Sequence, residues 1–365
     1  MVSDKLQFVR TKRKLYKYTM PFLKVITLLV LIVGLILGLR YTLPLLRMAN
    51  QIFGGPANII SAIIDPNPHL KTDGSRINIL LLGTGGGSHE GPNLTDTMIF
   101  ISLNTEKKTA LFVSVPRDIW IDSLQKRINE AYAIGQEKKP EEKGGLLLAK
   151  AVVSEILGQP IQYSLRLDFS GFEKIVDLLG GVTINVESSF TDNLYPIEGK
   201  ENDDCGGNDP DYKCRYETLT FTKGEQIMDG KTALKFVRSR HAEGGEGSDF
   251  ARSKRQQKLI FALKDKILQK ETLLDTRKLE KLQKTLGDSI DTDIKNNEID
   301  DFVKIALKMK EVQIQNFILD IGDEVNGRIG LLYQPPAYLY TGAWVLRPVG
   351  DSWVEVQKKL WEMLQ

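Results

Sequence analysis

The chain has 365 residues, 42% of them hydrophobic and 26% charged, which excludes a disordered polar tail and leaves room for one large domain or two modest ones. Its 49 Lys and Arg nearly balance 47 Asp and Glu, yet residues 1–40 hold eight basic residues and one acid, so the remainder is net acidic. A net-acidic body excludes nucleic acid as the main ligand, and three His with two Cys exclude a Cys/His-rich zinc site.

Residues 1–20 form a basic tail carrying Lys5, Arg10, Lys12, Arg13, Lys14 and Lys17. The run Phe22–Leu39 that follows is uncharged except for Lys24. Eighteen helical residues reach about 27 Å, close to the hydrocarbon thickness of a bilayer. The basic cluster marks the cytoplasmic side, so a single-pass anchor over 21–46 places the rest of the chain outside the cytoplasm. A cleaved signal peptide is the alternative, but Arg40-Tyr41-Thr42-Leu43-Pro44 offers no small-residue cleavage site. Residues 47–72, with Gly54-Gly55-Pro56 and Asp65-Pro66-Asn67-Pro68, read as a linker.

From residue 73 to 365 the pattern is that of one extracytoplasmic domain. Strands are expected at 77–83, 97–103 and 109–115, the last two joined by the polar turn "NTEKK". A helix over 146–158 ends on Gly158, a strand over 161–167 leads into an amphipathic helix over 172–181, and 182–186 is strand again. A long helix opens behind Ser248-Asp249 and runs to about Lys270; charged helical stretches follow, then strands near 312–319 and 342–347 and a closing helix from Asp351. Alternating strands and helices imply an α/β fold, a layered α-β-α domain with a central mixed sheet. Segment 187–222 breaks the rhythm and reads as an insertion. Its Cys205 and Cys214 are expected to form a disulfide outside the cytoplasm; two free thiols in a polar loop are the alternative.

"GTGGG" (83–87) after the first strand is not a nucleotide loop. It lacks the third glycine of the dinucleotide fingerprint and the Gly-Lys-Ser/Thr of a P-loop, and a strand follows where both motifs need a helix.

Three charged clusters stand where the pattern calls for apolar or turn residues. Asp96 opens an otherwise apolar strand, and a buried acid there needs an arginine or a metal ion. Arg117 and Asp118 follow the third strand, and strand ends of this kind border ligand crevices. Arg238 and Arg240 share a face if extended, and Arg252, Arg255 and Gln256 share a helix face after Asp249. Guanidinium forks suit phosphate oxygens, which suggests a pyrophosphate or phosphodiester clamp; salt bridging to surface acids is the alternative.

"INILLLG", "LTDTMIFISLN", "SVPRDIW", "RINEAYAIG", "ILGQPIQYSLRLDFSGFEKIVDLLGGVTINV" and "ALKFVRSRH…SDFARSKRQQ" resemble, in this order, the LytR-CpsA-Psr family, whose domain is also called cell envelope-related transcriptional attenuator. The resemblance spans about residues 75–270. It implies a membrane-anchored phosphotransferase that moves a glycopolymer from a polyprenyl-pyrophosphate carrier to peptidoglycan as a phosphodiester. It implies Mg²⁺ or Mn²⁺ on Asp96, and pyrophosphate held by Arg117, Arg238, Arg240, Arg252, Arg255 and Gln256. Asp118 and Asp249 are candidates to orient an arginine or accept a proton. The partners it implies are a polyprenyl-linked glycan, the peptidoglycan acceptor and the lipid bilayer, with no nucleic acid. It also implies an apolar tunnel for the polyprenyl chain; helices over 146–157 and 172–179 could line it, and core packing explains their residues equally well.

The sequence departs from the family at two positions. The usual second metal-ligating aspartate falls on Gly85, and an arginine often found two residues before the "DT" motif is Leu94. Glu90 or His89 is expected to replace the missing ligand, a carboxylate suiting Mg²⁺ better than imidazole. The alternatives are that Asp96 and lipid phosphates hold the metal alone, or that the protein binds lipid-linked glycans without catalysis.

Overall fold

The computed structural model describes residues 69–365 apart from 88–90, 201, 208, 268, 270–280, 282–288, 310–311 and 324–326. The expected tail, the anchor and nearly all of the linker lie outside the described residues, within which no helix is long and apolar enough to cross a membrane.

The main elements, in chain order, are β1 (Arg76–Thr84), β2 (Thr95–Asn104), β3 (Thr109–Ser114), α1 (Ala131–Lys138), α2 (Gly144–Leu157), β4 (Tyr163–Asp168), α3 (Phe169–Leu178), β5 (Val182–Val186), β6 (Phe190–Pro196), β7 (Tyr216–Phe221) and β8 (Gly224–Met228). There follow α4 (Gly230–Arg238), α5 (Asp249–Ile267), β9 (Ile290–Thr292), α6 (Ile299–Lys308), β10 (Gln313–Ile318) and α7 (Val354–Leu364). Six strands form the central mixed sheet, in the order β9-β4-β1-β2-β3-β10. β1 pairs parallel with β4, and β3 with β10, while β2 runs antiparallel between β1 and β3. The β2–β3 turn is fixed locally: Asn104 Oδ1 accepts from Glu106 N at 3.0 Å and Lys107 N at 2.8 Å.

The central strands are mostly apolar because both faces are covered. Leu80, Leu82, Phe100, Leu111 and Val113 pack with Leu146, Val153 and Ile156 of α2 and with Val356 and Leu360 of α7. On the other face Ile99, Ile101 and Phe112 meet Ile260 and Phe261 of α5, and Ile77 meets Ile305 of α6. The apolar face of α2 packs within this cluster. Gly158 ends α2 in the left-handed region at φ +63°, which only glycine adopts without strain.

A second apolar cluster joins Val176 of α3, Ile184 of β5, Phe190 and Phe221 of the β6–β7 hairpin, and Phe236 of α4. The supposed insertion is this hairpin, and the segment joining its strands is closed by the Cys205–Cys214 disulfide. Three boundaries differ from expectation. α3 begins at Phe169 because Asp168 caps it, accepting from Gly171 N at 2.7 Å. Arg238, expected to share a face with Arg240 if extended, instead ends a helix over 230–238: Asp229 caps it, and Ala233, Phe236 and Val237 are buried at helical spacing. Near 342–347 strand geometry is confined to Arg347–Pro348, paired with Leu332–Tyr333, and the closing helix begins at Val354.

Candidate active site

The pairing directions bring the C-terminal ends of β1, β3, β4 and β10, and the start of β2, to one edge of the sheet. Ligands of α/β sheets bind outside such ends. Asp96, the second residue of β2, receives a hydrogen bond from Arg117 Nη1 at its Oδ1. Arg117 Nε also faces Asp118 Oδ2 at 3.6 Å, and Asp118 Oδ1 accepts from Arg127 Nη1 at 3.3 Å. Burial opposes the charge on Arg117, but Asp96 and then Asp118 outweigh it and raise its pKa above the ordinary arginine value.

Arg238 ends α4 and its guanidinium lies 4.3 Å over the Phe169 ring, with Tyr195 at 6.0 Å. The turn after it is organised by Asp192, a fully buried carboxylate on β6. Asp192 Oδ2 accepts from Ser239 Oγ at 2.7 Å, Arg240 N at 3.0 Å and His241 N at 3.2 Å, and Oδ1 accepts from Leu194 N at 3.0 Å. Burial pushes the Asp192 pKa up, but these hydrogen bonds, led by Ser239, prevail and leave it lowered. The backbone between Arg238 and Arg240 is therefore pinned to a point charge.

From α5, Arg252 and Gln256 arrive one turn apart, and Gln256 Nε2 donates to Thr97 Oγ1 at 3.2 Å. Together these side chains line a cavity of about 200 Å³ holding Asp96, Arg117, Phe169, Asp192, Tyr195, Arg238, Arg240, Arg252 and Gln256. A second cavity, of about 140 Å³, shares Asp96, Thr97, Arg117, Arg252 and Gln256 with the first, and Asp118 opens onto it. Four guanidinium groups from three stretches of chain thus face one hollow with two carboxylates, Asp96 and Asp192, on its wall. The arrangement suits a multiply charged anion such as a diphosphate.

Arg255 does not join them. It is 4% exposed, and it donates to Phe236 O at 2.9 Å, Ser239 O at 2.7 Å and Glu246 O at 2.8 Å, with Glu246 Oε2 at 3.0 Å. It satisfies carbonyls at the C-terminal end of α4, where a cation suits the helix dipole. Burial lowers its pKa, and Glu246 offsets this only in part. One residue of helix turns a side chain by about 100°, so Gln256 reaches the cavity and Arg255 the core beneath α4. The Asp249 side chain, Glu90 and His89 lie outside the described residues. Asp168, Phe169, Asp192 and Tyr195 have no place in the sequence reading; Asp192 carried a signal, being an acid at an inward position of the alternating strand "FTDNLYP".

Residues 58–338 match the LytR_cpsA_psr family. The chain belongs to that family. It is 27% identical over 251 residues, 65% of its length and 69% of the relative's, to the polyisoprenyl-teichoic acid–peptidoglycan teichoic acid transferase TagU of Enterococcus faecalis. It is 29% identical over 238 residues, 64% of its length and 61% of the relative's, to the regulatory protein MsrR of Staphylococcus aureus. Among solved structures, TagT bound to LIIa-WTA superposes with a TM-score of 0.52 at 22% identity, covering 80% of this chain and 92% of that one, a likeness of fold.

A LytR_cpsA_psr domain that uses a divalent cation needs oxygen ligands for it. Asp96 supplies one carboxylate; Oδ1 meets Arg117, and no hydrogen bond falls on Oδ2 among the described residues. Gly85 contributes no side chain, and the one cluster of three potential ligands among the described residues, Asp203 with Cys205 and Cys214, includes the disulfide. One free carboxylate oxygen suits a Mg²⁺ ion that takes its other ligands from substrate phosphates and water, the common mode for that ion.

Proposed function

We propose that this chain is a phosphotransferase that takes a glycopolymer from a polyprenyl-diphosphate carrier and joins it to peptidoglycan through a phosphodiester. The observation that carries the reading is the convergence of Arg117, Arg238, Arg240 and Arg252 with Asp96 on one cavity. The transferase name of the E. faecalis relative supports the substrate class. In this reading the domain lies outside the cytoplasm, tethered by a single-pass anchor over 21–46 with the N-terminus inside, which the charge asymmetry of the first 40 residues supports.

Arg238 and Arg240 hold the diphosphate, with Phe169 flattening one guanidinium against its face. Arg117 and Arg252, on the wall between the two cavities, neutralise charge that develops on the phosphoryl oxygens. An acceptor sugar hydroxyl attacks the phosphorus bearing the glycan. The new P–O bond forms as the P–O–P bridge breaks; polyprenyl monophosphate leaves and the hydroxyl proton passes to a base, for which Asp118, lining the adjacent cavity, is the candidate. Asp96 Oδ2 would hold Mg²⁺ or Mn²⁺, which when bound adds charge neutralisation on the phosphate oxygens.

The Asp96–Arg117 ion pair favours a second reading, a non-catalytic binder of polyprenyl-linked glycans, since the guanidinium occupies one of the two oxygens of that carboxylate. One assay separates the two. Full-length protein in detergent is given a polyprenyl-diphosphate-linked glycan and peptidoglycan, with Mg²⁺ or with EDTA, and the phosphodiester product is measured by mass spectrometry. Product formation that Arg238→Ala and Arg240→Ala each reduce about 10- to 100-fold, the worth of a charged hydrogen bond, supports the enzyme. Bound lipid without product supports the binder, and absence of lipid binding refutes both.

A further inference from the structure

The second cavity lies across a shared wall from the diphosphate cavity, and its far side is built from the C-terminal part of the chain: Leu319, Asp320, Ile321, Trp344 and Leu346. We infer that this cavity is the acceptor subsite, taking the sugar ring whose hydroxyl attacks, with Trp344 as its stacking platform. The inference rests on the transferase reading above and names the place of its second substrate.

The lining has two characters. Val115, Leu319 and Leu346 give it an apolar floor, while Asp118 and Asp320 stand in it with side chains only 16% and 18% exposed. Each carboxylate is held by arginine: Asp118 by Arg127, and Asp320 by both Arg328 nitrogens, at 2.8 and 2.7 Å. Half-buried anions fit a hydrocarbon chain badly. A pyranose ring suits both, since its C–H face is apolar and its edge carries hydroxyls.

A further feature favours a ligand. Trp344 is 45% exposed at the rim, although burying its indole would be favourable. Trp344 is also placed firmly. Leu346 N donates to Asp118 O at 2.9 Å and Trp120 N to Leu346 O at 3.0 Å, which stitches the tryptophan's segment to that of Arg117 and Asp118. Leu319 N donates to Ser114 O at 3.1 Å, fixing the opposite wall in the same way.

The test uses full-length protein in detergent and two probes, the N-acetylglucosamine tetrasaccharide and undecaprenyl diphosphate, each titrated into wild type and variants. Trp344→Ala is expected to weaken the tetrasaccharide at least tenfold, with diphosphate binding unchanged. Trp344→Phe, which keeps an aromatic face, is expected to restore most of the affinity. Arg238→Ala is expected to show the reverse pattern. Wild type that binds the diphosphate but not the saccharide, or saccharide binding equal in wild type and Trp344→Ala, overturns the inference and leaves the transferase reading standing. Loss of undecaprenyl binding in Trp344→Ala with saccharide binding intact makes the cavity a lipid site and also overturns it. Wild type that binds neither probe overturns the transferase reading itself.

Discussion

Asp192 offers the most direct probe of how the anion cavity is held together. Its two oxygens accept four hydrogen bonds in a fully buried position, three of them at Oδ2 from consecutive residues Ser239, Arg240 and His241. In Asp192→Asn one oxygen becomes an NH₂ group, so at least one donor faces another donor and the charge that strengthened the rest is gone. With a charged hydrogen bond worth about 1.5–3 kcal/mol, the substitution should cost about 2 kcal/mol, and Asp192→Ala about 4. For a domain of this size 2 kcal/mol corresponds to a Tm lower by about 3 °C. The loss should depend on pH with a definite sign. The folded pKa of Asp192 is depressed, so its contribution is fully present above the ordinary value of 3.8 and is lost as pH falls below that toward the folded value. The Tm gap between wild type and Asp192→Asn should therefore be constant from neutral pH down to mild acid and close only under strong acid. Diphosphate affinity should fall in the same variant, because the turn carrying Arg240 loosens. An Asp192→Asn protein that melts with wild type at pH 7 and binds undecaprenyl diphosphate as well would refute the assignment.

Arg255→Ala should lower stability by about 3 kcal/mol by leaving the Phe236 and Ser239 carbonyls buried without their donor; a lower Tm measured by thermal melting checks it. Arg117→Lys should reduce turnover by about tenfold or more, because an ammonium cannot bridge Asp96 and Asp118 as the guanidinium does; steady-state product formation reads it. Reducing the Cys205–Cys214 disulfide should cost at most about 2–3 kcal/mol, since it closes a short loop, and should leave diphosphate binding unchanged, because the loop lies outside the anion cavity; melting curves with and without reductant, followed by titration, test this.

Much of the fold was legible because its determinants are local. The mostly apolar runs at 77–83 and 97–103 suit strands covered on both faces. Gly158 and Ser248-Asp249 punctuate helices with the chemistry that helix ends require. The strand-end positions of Asp96 and Arg117 were readable for the same reason, since a charge beside an apolar run has few places to go. Arg255 was not. Its neighbours in sequence are those of a phosphate clamp, and what turned it inward is the exposed end of α4, a helix whose position depends on β6 and α3. The partners of Asp192 stayed hidden because they lie in a turn 47 residues away, brought to it only by the packing of α4.

The amino-acid order by itself determined the alternation of strands and helices, the family, and the identity of the charged groups gathered at the strand ends. Only the tertiary structure decided which of those charges share a hollow: Arg117, Arg238, Arg240 and Arg252 do, while Arg255 is consumed by backbone carbonyls. It also gave the C-terminal segment a place, the wall of a second cavity beside the first. The physical reason is that secondary structure follows from side-chain periodicity over a few residues, whereas a guanidinium's partner is set by which distant segment packs within about 3 Å of it.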